Sequence, residues 1–142
     1  MKVRVKWTDH MRFVASTGSG HSIAMDGPPD HGGQNLAARP MEMILVGMGG
    51  CSAFDVVHTL KKSRQPIEHC EVELRAKRAD TVPAVFTNIH LHFDITGLNL
   101  DHRRVKRAIE LSVEKYCSVI MMLRDSVEIT YDYDVLTETT DG

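Results

Sequence analysis

Apolar and polar residues alternate over three stretches of this chain, and the alternation breaks where helices begin. From Met1 to Trp7, Val3, Val5 and Trp7 fall on one face and Lys2, Arg4 and Lys6 on the other. A period of two marks a strand with one wetted face. Phe13 to Ser16 and His21 to Met25 read as two further strands, joined by the turn-forming Thr17-Gly18-Ser19-Gly20. Asp26 to Ala38 is a loop by composition, rich in glycine and proline. In Ile67 to Ala76, the residues Cys70, Val72, Leu74 and Ala76 share one face, opposite His69, Glu71, Glu73 and Arg75. Val85 to Ile95 turns Val85, Ile89, Leu91, Phe93 and Ile95 inward, and Val127 to Val135 alternates apolar residues with acids. These give two more strands and a last one.

Between them the period changes. Arg39 to Lys62 starts with Pro40, which suits the first turn of a helix because its missing N–H would be unpaired there anyway. From Met41 to Met48 almost every side chain is apolar, which predicts a helix buried all round. Gly47, Gly49 and Gly50 follow, each costing a helix about 1 kcal/mol relative to alanine. Such a run is tolerated where another backbone comes close or the helix kinks. Past Cys51 the pattern is amphipathic, and Lys61, Lys62 and Arg64 suit the negative end of the helix dipole. A second helix runs from an Asp101 N-cap to Lys115, and Cys117 to Leu123 forms a short apolar turn.

Strands, a helix, two strands, a helix pair and a strand make an α+β fold, with antiparallel sheet and helices on one face. The chain reads as one domain: strands and loop over 1–38, the cysteine helix over 39–64, strands and a second cysteine helix over 65–136, and a disordered tail over 137–142. One layer of sheet cannot cover a helix that is apolar on every side, so a partner subunit is expected to supply the rest.

With 17 basic and 19 acidic residues and no basic block, the chain offers no electrostatic footprint for nucleic acid or a membrane surface. The apolar run Met43 to Phe54 is too short to span a bilayer, and the N-terminus is a strand rather than a signal peptide, so the expected location is the cytoplasm. In that compartment Cys51, Cys70 and Cys117 are catalytic, redox-active or simply buried thiols rather than a disulfide framework.

Cys70 sits on the apolar face of a strand and reads as core. Cys51 and Cys117 each stand at a helix boundary, and a pair so placed is able to oxidise and re-form through a sulfenic acid and a disulfide. The start of a short helix is expected to lower the Cys117 pKa. An attacking thiolate needs a cation. Arg39 is the nearest in sequence, and Glu42 is placed to orient its guanidinium bidentately. Nine residues of ideal helix put Glu42 about half a turn from the face of Cys51. Asp55 lies on that face, where a carboxylate raises a thiol pKa or turns to another partner. His58 roughly shares it and is a candidate base or proton donor. His90 and His92 share one strand face at metal-site spacing, but with no third ligand nearby in sequence they read as solvated histidines. No cofactor or metal is called for.

PMEMILVGMGGCSAFDVV and the later EKYCSV, with the MDG turn at Met25 to Gly27, resemble the OsmC/Ohr family of osmotically induced and organic hydroperoxide resistance proteins, and within it the small YhfA-like branch. The likeness covers nearly the whole chain. It implies an OsmC-like fold, with antiparallel sheets wrapped around long central helices in an intertwined homodimer. It also implies an active site at the dimer interface, Cys51 as the peroxide-attacking thiol and Cys117 as the resolving one, and a dithiol reductant. Two features depart from the family pattern. Peroxidase members have an arginine before the DG turn, where this chain reads ASTGSGHSIAMDG, and a glutamate directly after the helix-starting proline, where this chain has Met41 with Glu42 one place later. Arg39 and Glu42 are the substitutes in hand.

The expected activity is thiol-dependent reduction of organic hydroperoxides, alkyl hydroperoxides being favoured over hydrogen peroxide by an apolar pocket between subunits. Its rivals are a non-catalytic dimer binding a small apolar or thiol ligand at the same interface, and a thiol–disulfide redox sensor.

Overall fold

Alternation in the first 25 residues becomes a three-stranded antiparallel meander in the computed structural model, which describes residues 1–139. The chain divides into two units, Met1–Val46 and Gly47–Gly142. In the first, β1 (Val3–Asp9), β2 (Arg12–Thr17) and β3 (Ser22–Met25) pair in that order. The apolar face of β1 is present but uncovered, with Val3, Val5 and Trp7 each more than half exposed. The loop that follows is ordered around one carboxylate. Asp26 is buried, and it accepts backbone N–H groups from Gly27, Gln34 and Leu36 at 2.7–3.3 Å. Those bonds fold residues 26–36 back on themselves, and Gly33 packs so closely on the Gly27 backbone that no Cβ fits.

Helix α1 (Pro40–Lys62) starts in this unit and is continuous over 23 residues. Its buried residues are Met48, Gly49, Ser52, Val56 and Leu60, a single stripe. Burial on every side is therefore not met within the chain: Ile44 and Val46 are exposed, and Phe54 is 70% exposed. Among the described residues α1 is the one helix long and apolar enough to cross a membrane, because the helix runs well beyond the apolar segment that the sequence marks.

The second unit is built on β4 (Ile67–Arg78), β5 (Phe86–Leu98) and β6 (Glu128–Glu138), in that order. Strands β4 and β5 form a long antiparallel hairpin. By contrast β6 runs parallel to β5, so the sheet is mixed. The segment between them carries two helices, which gives the chain room to return to the same end, as a parallel crossover requires. Ile89, Leu91, Phe93 and Ile95 of β5 are almost fully buried with Val105, Ala108 and Ile109 of α2 (His102–Leu111). Val85 does not join them. It is about half exposed, and its carbonyl accepts the Ala79 N–H in the hairpin turn.

Asp101 caps α2 as its position predicts, accepting the Arg103 N–H at 2.9 Å. The helix does not run on unchanged to Lys115. At Ser112–Tyr116 it widens into a π-helical turn, closed by the Cys117 N–H on the Ser112 carbonyl at 2.8 Å. The short helix α3 (Ser118–Leu123) follows. The expected tail at 137–142 is partly strand: Thr137 and Glu138 of β6 pair with Gly97 and Leu98 of β5, and the Thr137 hydroxyl accepts the Leu100 N–H. Positions 140–142 lie outside the described residues.

Candidate active site

The π-helical turn is the local device that builds the site. A π turn inserts one residue into a helical repeat, and such turns are often found at functional positions. Here it ends the helix with Cys117 in an extended conformation (φ −67°, ψ 109°) and seats its side chain in full burial. Two turns of α1 supply the other wall. Cys51 is half-buried, and both cysteines are free thiols. The sulfurs of Cys51 and Cys117 and a carboxylate oxygen of Asp55 all lie within 4.8 Å of one another. Residues 66 positions apart in the chain thus meet, as the paired motifs implied.

Two serines complete the cluster, and neither stood out in the sequence. Ser52 is fully buried. Its hydroxyl lies 2.7 Å from the Met48 carbonyl, the back-bonding geometry open to serine within a helix, and 3.4 Å from the Cys117 sulfur. Ser112, also fully buried, lies 3.0 Å from the Ser52 carbonyl and 3.4 Å from Asp55 Oδ2. Each hydroxyl has one proton for two acceptors. Ser52 can turn its proton to Cys117 when that sulfur is ionised, and Ser112 can turn its own to Asp55 when the carboxyl is ionised. The local signal for Ser52 was the small-residue run around Cys51, which reads equally well as close packing, and Ser112 has none of that kind.

Electrostatics run against one expectation. The Cys117 pKa is raised rather than lowered, first because burial removes the thiolate from water. The Ser52 hydroxyl and the Ile120 N–H act in the opposite direction, while the Cys51 thiol beside it raises the pKa further. A helix start lowers a thiol pKa only where the dipole outweighs desolvation, and α3 has six residues. Asp55 is raised as well, by desolvation, with the Ser112 hydroxyl and the charge of His58 opposing. Its carboxyl therefore ionises later than a solvated one. Cys70, on the inward face of β4, is pushed up to about 11 by burial, in keeping with a packing residue.

His58 is not at the sulfurs. Its ring stacks on Phe54 at 5.9 Å, on the exposed side of α1. Arg39 and Glu42 belong to the first unit, where the Glu42 carboxylate accepts the backbone N–H of Arg39 at 2.9 Å. That is a helix-capping contact, and among the described residues no guanidinium–carboxylate pair joins the two. Two clefts open along α1, and one of them reaches the cluster through Asp55. One of about 390 Å³ is lined by Asp55, His58, Thr59, Leu111 and Tyr116. The other, about 450 Å³ and largely apolar, is lined by Gly50, Ala53, Phe54, Val57 and Cys70, with His58 and Lys61.

The arrangement matches a known family over its whole cysteine-bearing region. The family model described as OsmC-like protein matches residues 32–132. This chain belongs to the OsmC-like family. It is 47% identical over 136 residues to protein YhfA of Escherichia coli K12, covering 96% of this chain and 98% of that protein. Among solved structures, it is similar to a hypothetical protein from Aquifex aeolicus at a TM-score of 0.84 and 29% identity, over 96% of each chain. It also shares the fold of an organic hydroperoxide resistance protein, OsmC, from Legionella pneumophila, with a TM-score of 0.71 and 18% identity over 95% of this chain and 98% of that one. This α/β chain with two sheets thus has an OsmC-like fold.

Proposed function

We propose that the chain is a thiol-dependent peroxidase that reduces organic hydroperoxides through Cys51 and Cys117. The observation that carries this reading is the meeting of two free thiols, one half-buried and one fully buried, within 4.8 Å of each other and of the Asp55 carboxylate. The name of the Legionella pneumophila relative supports the choice of substrate class.

Cys51 is the attacking residue, because it alone of the pair is accessible. Its thiolate attacks the terminal peroxide oxygen. The S–O bond forms, the O–O bond breaks, and the departing alkoxide takes a proton to become the alcohol. The Cys117 sulfur then attacks the Cys51 sulfenic acid. The S–S bond forms, and hydroxide leaves as water with the proton that Cys117 gives up. A buried thiol of raised pKa needs help to lose that proton. Asp55 is the group within reach, and we assign it the relay from Cys117 to the departing hydroxide, with Ser112 following its protonation state. An external dithiol reduces the Cys51–Cys117 disulfide by exchange and is itself oxidised. Arg39 is proposed as the cation that favours the Cys51 thiolate, with Glu42 fixing Arg39 through its backbone N–H.

A homodimer belongs to the same proposal. Gly47 and Gly50 have open space where a Cβ would stand, and Ile44, Val46 and Phe54 are exposed on α1, as helices crossing between two copies of this chain require. Cytoplasmic location is proposed as well, without a membrane span: Asp55 lies mid-helix with a polar partner, and Met48, Ser52, Val56 and Leu60 are fully buried. The apolar 450 Å³ cleft favours a second reading, a dimer that binds a small apolar or thiol ligand there without turnover.

Consumption of cumene hydroperoxide with dihydrolipoamide as the dithiol separates these. The peroxidase gives many turnovers per chain and none in Cys51→Ser. A redox sensor stops after one equivalent, and a binding protein consumes no more than Cys51→Ser does.

A further inference from the structure

The outward face of the second sheet brings together residues that the sequence kept apart. On β5 and β6 the register pairs His90 with Thr130, His92 with Asp132, and Asp94 with Asp134. All six side chains point to the same face. Asp94 and Asp134 stand directly opposite each other, an arrangement that destabilises a sheet when nothing positive lies between. Glu71 of β4 adds a third carboxylate to the same row and Glu73 lies beside His92, although Glu73 is engaged by Arg75 at 2.6 Å and Glu71 by His69 at 3.5 Å.

Between the opposed carboxylates sits one ring nitrogen. His92 Nε2 is 3.4 Å from Asp94 Oδ1 and 3.3 Å from Asp134 Oδ2, and the three ligand atoms lie within 4.8 Å of one another. Those separations are long for hydrogen bonds to a ring N–H. They suit a shared ion: ligands about 2.1 Å from a tetrahedral centre stand about 3.4 Å apart. The other ring nitrogen is already committed. His92 Nδ1 lies 2.7 Å from Asp132 Oδ1, and the same oxygen is 2.9 Å from His90 Nε2, whose Nδ1 in turn meets the Thr130 hydroxyl at 2.7 Å. A histidine that gives its Nδ1–H to a carboxylate presents a bare Nε2 lone pair, as metal-ligating histidines do. The ring is also sheltered, its side chain being 27% exposed.

We propose that His92, Asp94 and Asp134 bind a zinc-class divalent cation that joins β5 to β6, with Asp132 and His90 as the positioning shell. One nitrogen, two oxygens and a water complete a tetrahedral set, with the water facing solvent. The site is separate from the thiol cluster, and the proposal does not depend on peroxide chemistry. The sequence reading set the pair His90 and His92 aside for want of a third ligand. Asp94 is two residues on, and the parallel pairing of β6, not anticipated, brings Asp134 across.

The test is zinc titration by calorimetry of tag-free protein in the Cys51→Ser/Cys117→Ser background, so that the thiol cluster cannot take the metal. One zinc per chain is expected. Asp134→Asn and His92→Ala should each weaken binding about tenfold or more, and Asp132→Asn, which touches no metal, about 10- to 100-fold. Asp132 and Asp134 are exposed and His92 is part-buried, and circular dichroism checks that the variants fold. Absence of saturable binding overturns the proposal. So does binding whose affinity is unchanged in His92→Ala and Asp134→Asn, which would leave a protonated His92 as the charge between the two carboxylates.

Discussion

At Asp55, one carboxylate oxygen lies within 4.8 Å of two sulfurs. Burial raises the Asp55 pKa above that of a solvated carboxylate, which makes it a stronger base toward the Cys117 proton, although burial raises the pKa of that thiol as well. Replacing Asp55 by Asn keeps the shape and removes the relay. Disulfide formation after sulfenic acid should slow by about 10²-fold or more, the range of general acid–base assistance, while the first attack on peroxide is much less affected. Stopped-flow measurement of the two phases checks this, and equal slowing of both would contradict the assignment. Asp26 gives a second prediction at this scale. Hydrogen bonds, that from the Leu36 N–H foremost, hold its pKa below the ordinary carboxylate value. A group depressed in the folded state stabilises above its unfolded pKa, about 3.9, and that contribution is lost as pH falls through the folded value. Asp26→Asn should therefore lower the melting temperature near neutral pH, and the difference from the native chain should shrink as pH drops below about 4. The MDG motif was legible in the sequence. The burial of its carboxylate was not, because its three partners are backbone groups up to ten residues away.

Elements with a regular period were read closely. The inward residues of β5 from Ile89 to Ile95, the even alternation of β4 and β6, and the Asp101 cap all stand where the pattern put them, since period and face are local properties of the chain. What escaped was long-range or irregular. The parallel direction of β6 depends on the path of the crossover rather than on its own residues. The π turn at Ser112–Tyr116 leaves no hydrophobic signature, yet it sets the position of Cys117. One glycine makes a sharp test of the packing. A Cβ at Gly97 would meet the Pro66 carbonyl, with Leu100 Cδ2 at 2.9 Å and the Ile67 Cα at 3.1 Å. Backbone atoms cannot step aside as a side chain does. Gly97→Ala should cost about 1–3 kcal/mol in urea unfolding, in the range of overpacked cores. A loss below a few tenths of a kcal/mol would mean that the β4–β5 hairpin yields more readily than these distances imply.

For the whole molecule, a second copy is the partner proposed for the exposed apolar surface. Val3, Val5 and Trp7 of β1 and Ile44, Val46 and Phe54 of α1 are exposed, and the sequence shows a helix with almost no polar side chain between Met41 and Met48. Sedimentation equilibrium should give twice the 15.9 kDa chain mass. Val46→Asp, which puts a charge on the exposed side of α1, should shift the protein toward monomer and reduce peroxide turnover with it. The family and its fold were legible because the two cysteine motifs of this chain resemble those of the family. Less legible were the groups around the sulfurs, since Asp55, Ser52 and Ser112 gather there from α1 and from the π turn 60 residues on.

The central claim is that Cys51 and Cys117 form one redox unit. Intact-mass analysis with peptide mapping after a single equivalent of cumene hydroperoxide, without reductant, tests it most directly. The account predicts loss of two hydrogens per chain, with one disulfide linking the Cys51 and Cys117 peptides and Cys70 still free. In Cys117→Ser the same treatment should leave a sulfenic acid on Cys51. A native chain that keeps three free thiols, or that joins Cys70 in place of Cys117, would contradict it.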